Sequence, residues 1–201
     1  MVIGITGGIA SGKSEVCRIL EKQGFIHIDA DHVAHEVLEL PDVLAEITSK
    51  FGHEIISIDD NGKEHIDRKK LGNIVFNQPE LMNELENITH PRIVQQIKSM
   101  INEGQKNFVV EAIEIINSGL IDICDELWVV HAEPEQQIRR LMEYRHLSYD
   151  EACSRLKTQE DHDWDENKAD RVIYSTEPIE SMTKQVLYEL KQLHLTENKE
   201  Q

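Results

Sequence analysis

The run Gly7-Gly8-Ile9-Ala10-Ser11-Gly12-Lys13-Ser14 fits G-x-x-x-x-G-K-[ST], a spacing that holds polyphosphates. Glycines let main-chain N–H groups turn inward around phosphate oxygens, and a helix that starts at the lysine adds partial positive charge. Lys13 is placed to reach the β- and γ-phosphates, and the Ser14 hydroxyl to ligate Mg²⁺. Gly8, Ala10, Ser11, Gly12, Lys13, Ser14 and Glu15 are the candidate nucleotide-binding residues, and Ser14 is the candidate metal ligand. ATP and Mg²⁺ are the expected cofactors. A glycine-rich turn with a chance lysine is the bland alternative; the register and the flanking strand and helix patterns speak against it.

Asp29 and Asp31 stand two apart after a strand-like segment, where α/β enzymes bind ligands. One carboxylate at such a place can take the proton of an attacking hydroxyl, and Asp31 is the candidate base. The other can hold a metal-bound water. Capping of the next helix explains such a pair equally well. Glu111 and Glu114 follow another strand and are candidates for a second, metal-side carboxylate, whereas Asp125 and Glu126 precede a strand and are expected to be solvated. Arg139, Arg140 and Arg145 lie where guanidinium groups can fold over a transferring phosphoryl group. Pairing with Glu133, Glu135 or Glu143 is the alternative for at least one of them.

These side chains need a scaffold. Val2–Thr6 reads as a buried strand, Lys13 to about Lys22 as a helix, and Phe25–Ile28 as a second strand. Residues 31–102 look mostly helical, with helices from Pro41 and over Asp67–Phe76, and one from Pro79 that Pro91 should break or kink. Strand signals return at Phe108–Val110, Leu127–Val130 and Arg171–Tyr174, with helices from Pro134 to Leu141 and from Pro178 to about Leu193, and a frayed tail over Thr196–Gln201. This alternation predicts an α/β fold with a three-layer parallel-sheet core. One domain over 1–201 is expected: a core of about 1–30, 105–140 and 170–195, an inserted helical substrate lobe of about 31–104, and a helical lid of about 141–169.

With 21 basic and 38 acidic residues the formal charge is -17, which disfavours nucleic acid and anionic membranes as partners. The three cysteines form no CxxC pair, and the ten histidines lack metal-ligand spacing, so neither a disulfide framework nor a zinc centre is expected. No apolar run approaches the roughly 18 residues of a membrane span, and Met1–Thr6 lacks the features of a secretory signal. A cytoplasmic protein, monomeric or weakly homo-oligomeric, is expected. The acidic run Asp161–Glu166 is expected to be a solvated loop rather than a metal site.

Asn167-Lys168-Ala169-Asp170 spells N-K-x-D and Asp59-Asp60-Asn61-Gly62 spells D-x-x-G, which together with the glycine loop suggest a GTPase. A guanine-reading N-K-x-D follows a buried strand, and no strand can be built from Asp163-Trp164-Asp165-Glu166, so the context argues against it.

The chain resembles the dephospho-coenzyme A kinase family over most of its length. The likeness is carried by Ile5 to Ser14, then Ile28-Asp29-Ala30-Asp31-His32-Val33-Ala34, then Gly62, Ile66-Asp67-Arg68, Leu71-Gly72, Val75-Phe76, Leu85-Glu86 and His90-Pro91. It continues in order through Gly119-Leu120, Arg140, Leu147-Ser148, Glu151-Ala152, Gln159, Lys168-Ala169-Asp170 and Val172-Ile173. The resemblance implies a P-loop kinase of core, substrate lobe and lid. Such a kinase passes the γ-phosphoryl of ATP to the ribose 3′-hydroxyl of dephospho-coenzyme A, the last step of coenzyme A synthesis. It implies Lys13, Asp31 and Arg140 as catalytic residues, and Asp31, His90 and Arg140 as substrate-binding ones. His35, Glu15, the stretch Ile113–Asn117, His146 and Ser175 depart from the family pattern. Two alternatives stand beside this: a related kinase acting on another nucleoside or nucleotide, and a non-catalytic nucleotide-binding regulator.

Overall fold

The computed structural model describes residues 1–76, 78–102, 106–159 and 168–197. The chain divides into two compact units, 1–28 with 105–201, and 29–104. The Asp161–Glu166 run and Asn167 lie outside the described residues.

The first unit is built on five strands in the order β2-β5-β1-β6-β7. The central strand β1 (Val2–Thr6) is buried at every position, as a strand covered on both faces must be. It pairs in parallel with β5 (Phe108–Glu111), Val2 facing Phe108 and Ile5 facing Glu111. On its other side it pairs in parallel with β6 (Glu126–His131), which in turn pairs with β7 (Arg171–Tyr174). The chain runs from β1 to β2 (Ile26–Asp29) and β5 on one side, then crosses to β6 and β7 on the other. The loop after β1 therefore sits at the topological switch point, where open α/β sheets bind ligands.

Helices α1 (Lys13–Glu21) and α8 (Ile179–Glu197) pack together, and a shared core of Ile3, Ile5, Val16, Leu20, Trp128, Ile173, Val186 and Leu190 holds them to the sheet. α8 extends past Leu193, so Thr196 and Glu197 are helical rather than frayed. Gly4 is required in β1, since a Cβ there would lie 2.6 Å from Ile115 Cδ1 and 2.9 Å from Cys124 Sγ.

At the opposite end of the sheet, Asp125 is well exposed as expected, though its Oδ2 accepts from Val2 N at 2.6 Å. Glu126 is not solvated. Its carboxylate accepts from Arg171 Nε at 2.9 Å, while Arg171 Nη1 donates to Glu189 Oε2 at 2.6 Å, all three side chains being less than a quarter exposed. Parallel pairing puts Arg171 opposite Trp128, beside the start of β6, and brings the two charges together. Helices α6 (Pro134–Arg145) and α7 (Tyr149–Lys157) also belong to this unit. Ser148 and Glu151 close a reciprocal cap on α7, and its Ala152 is buried.

The second unit gathers α2 (Ala30–Leu38), α3 (Pro41–Phe51) and α4 (Arg68–Val75) against the long helix α5 (Pro79–Asn102). Pro91 does not break α5, which runs unbroken for 24 residues. A proline removes one intrahelical hydrogen bond, and packing of three helices along α5 outweighs that local cost. The unit also holds an antiparallel hairpin, β3 (Ile56–Ile58) with β4 (Glu64–Ile66), inside the stretch that reads as mostly helical. Asp59-Asp60-Asn61-Gly62 is its turn: Asp59 Oδ1 accepts from Asn61 N and Lys63 N, and Gly62 takes φ 81°. That leaves no role for D-x-x-G as a nucleotide switch.

Candidate active site

The chain after β1 turns through positive φ at Gly7 (140°), Ala10 (55°) and Gly12 (109°) before α1 begins. Ala10 carries the cost, about 1–2 kcal/mol for an L-residue in this region. Three side chains offset it by pinning the outer edge of the loop. Arg140 Nη1 donates to Ala10 O at 3.0 Å and Ser11 O at 3.1 Å, Gln137 Nε2 donates to Ile9 O at 2.7 Å, and Gln159 Oε1 accepts from Ile9 N at 2.7 Å. Gln137 and Arg140 are three apart on one face of α6. Space for a side chain at Gly12 is also closed, because a Cβ would lie 2.8 Å from the Oγ of buried Ser175.

Lys13 is the first residue of α1 and is buried, its Nζ donating to Gly7 O at 2.8 Å and Gly8 O at 3.0 Å. The ammonium thus sits inside the curl of the loop, bound to carbonyls that phosphate oxygens can replace. One residue on, Ser14 Oγ donates to Glu111 Oε1 at 2.9 Å, and the other oxygen of Glu111 lies 3.1 Å from His27 Nε2. Burial opposes ionisation of Glu111, yet hydrogen bonds from His27 and Ser14 and the charge of Lys13 together hold its carboxyl below the ordinary range. Two hard oxygen donors, a hydroxyl and an ionised carboxylate, therefore meet at the mouth of the loop, a donor set that suits Mg²⁺.

The three other candidate carboxylates, Glu114, Asp29 and Asp31, each find their own place. Glu114 Oε2 accepts from Asn117 Nδ2 at 3.1 Å. Asp29 caps α2, its Oδ1 accepting from Asp31 N at 2.9 Å and His32 N at 3.3 Å, so it is Asp29 of the pair that does the capping. Asp31 lies exposed in the first turn of α2, and His90 is half-buried in α5. Both belong to the second unit. So does His35, which contacts Arg68 and lines a cleft of about 340 Å³ with Glu36, Leu38, Glu39, His65, Ile66 and Arg68.

The arginines divide. Arg140 reaches the loop, Arg139 pairs with Glu177, and Arg145 ends α6. Neither Gln137 nor His27 was singled out from sequence, and both meet the loop or its carboxylate. The signal for Gln137 was its i,i+3 spacing to Arg140; His27 had none, since alternation along a strand does not name its neighbour. The N-K-x-D aspartate, Asp170, precedes β7 and accepts from Leu127 N at 2.8 Å through Oδ2, which makes it a strand anchor and not a base reader.

Comparison with known proteins gives the family. The family model described as dephospho-CoA kinase matches residues 1–180. A dephospho-CoA kinase of Carboxydothermus hydrogenoformans is 38% identical over 191 residues, covering 92% of this chain and 91% of the relative. That of Geobacter metallireducens is 43% identical over 166 residues, covering 79% and 80%. Among solved structures, one from Thermus thermophilus superposes with a TM-score of 0.78 at 26% identity, covering 96% and 97% of the two chains. A dephospho-CoA kinase from Campylobacter jejuni gives 0.59 at 30%, covering 95% and 96%. A shikimate kinase from Bacteroides thetaiotaomicron, 12% identical with a TM-score of 0.54 over 95% and 98%, shares the fold alone. With the glycine loop, the parallel sheet and this match along nearly its whole length, the chain belongs to the dephospho-CoA kinase family.

Proposed function

We propose that the protein transfers the γ-phosphoryl group of ATP to the ribose 3′-hydroxyl of dephospho-CoA, giving CoA and ADP. The observation that carries this is the loop Gly7–Ser14, with Lys13 held inside it and Ser14 joined to Glu111, in a chain of the dephospho-CoA kinase family. In the transfer, a bond forms between the 3′-oxygen and the γ-phosphorus while the bridging bond to the β-phosphate breaks. ADP leaves with that electron pair.

Each residue contributes one element. Main-chain N–H groups of Gly8, Ala10, Ser11, Gly12, Lys13, Ser14 and Glu15, around the N-terminus of α1, bind the phosphates, and Lys13 exchanges the carbonyls of Gly7 and Gly8 for β- and γ-oxygens. Arg140, held beside Ala10 and Ser11, adds positive charge where the γ-phosphoryl oxygens gather it. Asp31 takes the proton of the acceptor hydroxyl, and His90 belongs to the acceptor side. Ser14, with Glu111 behind it, would hold Mg²⁺, which when bound neutralises charge on the β- and γ-phosphates. A cytoplasmic setting and a monomeric or weakly associating chain complete the proposal. Among the described residues no helix is long and apolar enough to cross a membrane.

The test is a panel of acceptors. Purified protein with ATP and Mg²⁺ is given dephospho-CoA, AMP, CMP and nucleosides, and the phosphorylated product is identified. Phosphate on dephospho-CoA in preference to the others is the expected result. A preference for another acceptor, or ATP binding with no transfer to any, refutes the assignment.

A further inference from the structure

We propose that Cys17, His27 and Glu111 form a binding site for a borderline-soft divalent transition-metal ion, Zn²⁺ foremost, beneath the nucleotide loop. Cys17 lies one turn beyond Ser14 on α1, His27 on β2, and Glu111 at the end of the neighbouring strand β5. Helix pitch and strand order aim the three side chains at one point. A thiol sulfur, a ring nitrogen and a carboxylate oxygen lie within 4.8 Å of one another there.

Tetrahedral Zn²⁺ takes sulfur at about 2.3 Å and nitrogen or oxygen at about 2.0–2.2 Å, which puts its donors roughly 3.3–3.8 Å apart. The three groups, already within 4.8 Å of one another, can supply three of the four tetrahedral positions. The donor set selects against Mg²⁺, which takes oxygen and rejects sulfur, and favours zinc, cobalt or copper. His27 and Glu111 are partly exposed and form the entrance, while Cys17 is fully buried and forms the floor. On binding, the Cys17 S–H bond gives its proton to solvent and its electron pair to the metal, so one proton leaves as one metal–sulfur bond forms. No oxidant is required.

The site shares Glu111 with the Ser14 contact, and a transition metal there draws that carboxylate from the loop. Zinc then inhibits phosphoryl transfer even with Mg²⁺ in excess. The inhibition rests on the role proposed above for Glu111, but metal binding does not, so the two can fail separately.

Binding is read with Co²⁺ on the nucleotide-free protein, whose thiolate-to-cobalt absorption reports a Co–S bond, and with Zn²⁺ by calorimetry. The wild type is expected to show the absorption, Cys17→Ala to lose it, and His27→Gln to bind Zn²⁺ at least about tenfold more weakly, the lower end of what loss of even an outer-shell partner costs. Should Cys17→Ala fail to fold, His27→Gln at its strand position decides alone. No cobalt–thiolate absorption in the wild type overturns the proposal. So does absorption that survives Cys17→Ala, which places the thiolate at Cys124 or Cys153, or an unchanged zinc affinity in His27→Gln.

Discussion

The Ser14 hydroxyl and the Glu111 carboxylate, 97 residues apart in sequence, meet at 2.9 Å. Parallel pairing of β1 with β5 creates the contact, because the loop leaves β1 at the level where β5 ends in Glu111. The end of β5 thus supplies the carboxylate, and the start of α1, the helix that follows β1, supplies the hydroxyl.

Glu111→Gln keeps the shape of this contact and removes its charge. The Mg²⁺ concentration for half-maximal rate should rise by about tenfold or more, with ATP binding in the absence of metal little changed. Mg²⁺ titration of the initial rate measures it. An unaltered Mg²⁺ requirement would remove Glu111 from the metal side.

The same carboxylate gives a pH dependence of stability. Its burial alone would raise the pKa, but His27, Ser14 and Lys13 together lower it beneath the ordinary 4.5. The stabilisation is therefore fully present above that ordinary value and is lost as pH falls through the lower, folded-state one. In thermal melts between about pH 6 and about pH 3, the difference in Tm between wild type and Glu111→Gln should hold constant at the upper end and shift against the wild type in acid. A difference that stays fixed throughout contradicts the sign.

Arg140 both props Ala10 and Ser11 and lends charge, so Arg140→Ala should lower kcat about a hundredfold and weaken ATP binding. Arg140→Lys should recover only part, because a point charge on a flexible stem does not reproduce the planar donor set that meets two carbonyls. Full recovery by lysine would show that charge alone matters. Steady-state kinetics of both variants in ATP make the distinction.

The loop was legible because its chemistry is contiguous: eight residues in register, a strand before and a helix after. The sheet was legible for a similar reason, since Val2–Thr6, Phe108–Val110 and Leu127–Val130 are apolar enough to read as strands buried on both faces. What escaped depends on pairing across long separations. His27 meets Glu111 because β2 lies beside β5, which no spacing announces, and Gln137 meets Ile9 across 128 residues, with only its three-residue step to Arg140 as a signal. Strands β3 and β4, three residues each, are too short to show alternation amid helical neighbours. Glu126 was misjudged because its partner Arg171, which Glu189 shares, lies 45 residues further along the chain. Pro91 shows the converse, since the break expected there is overruled by packing along α5.

The most direct test of the proposed chemistry is the single-turnover rate of CoA formation by Asp31→Asn at saturating ATP and dephospho-CoA, with ATP affinity measured on the same preparation. Removal of the proton acceptor should slow the step by about 10²–10⁴-fold while ATP affinity stays within about twofold. A wild-type rate from Asp31→Asn would contradict the account.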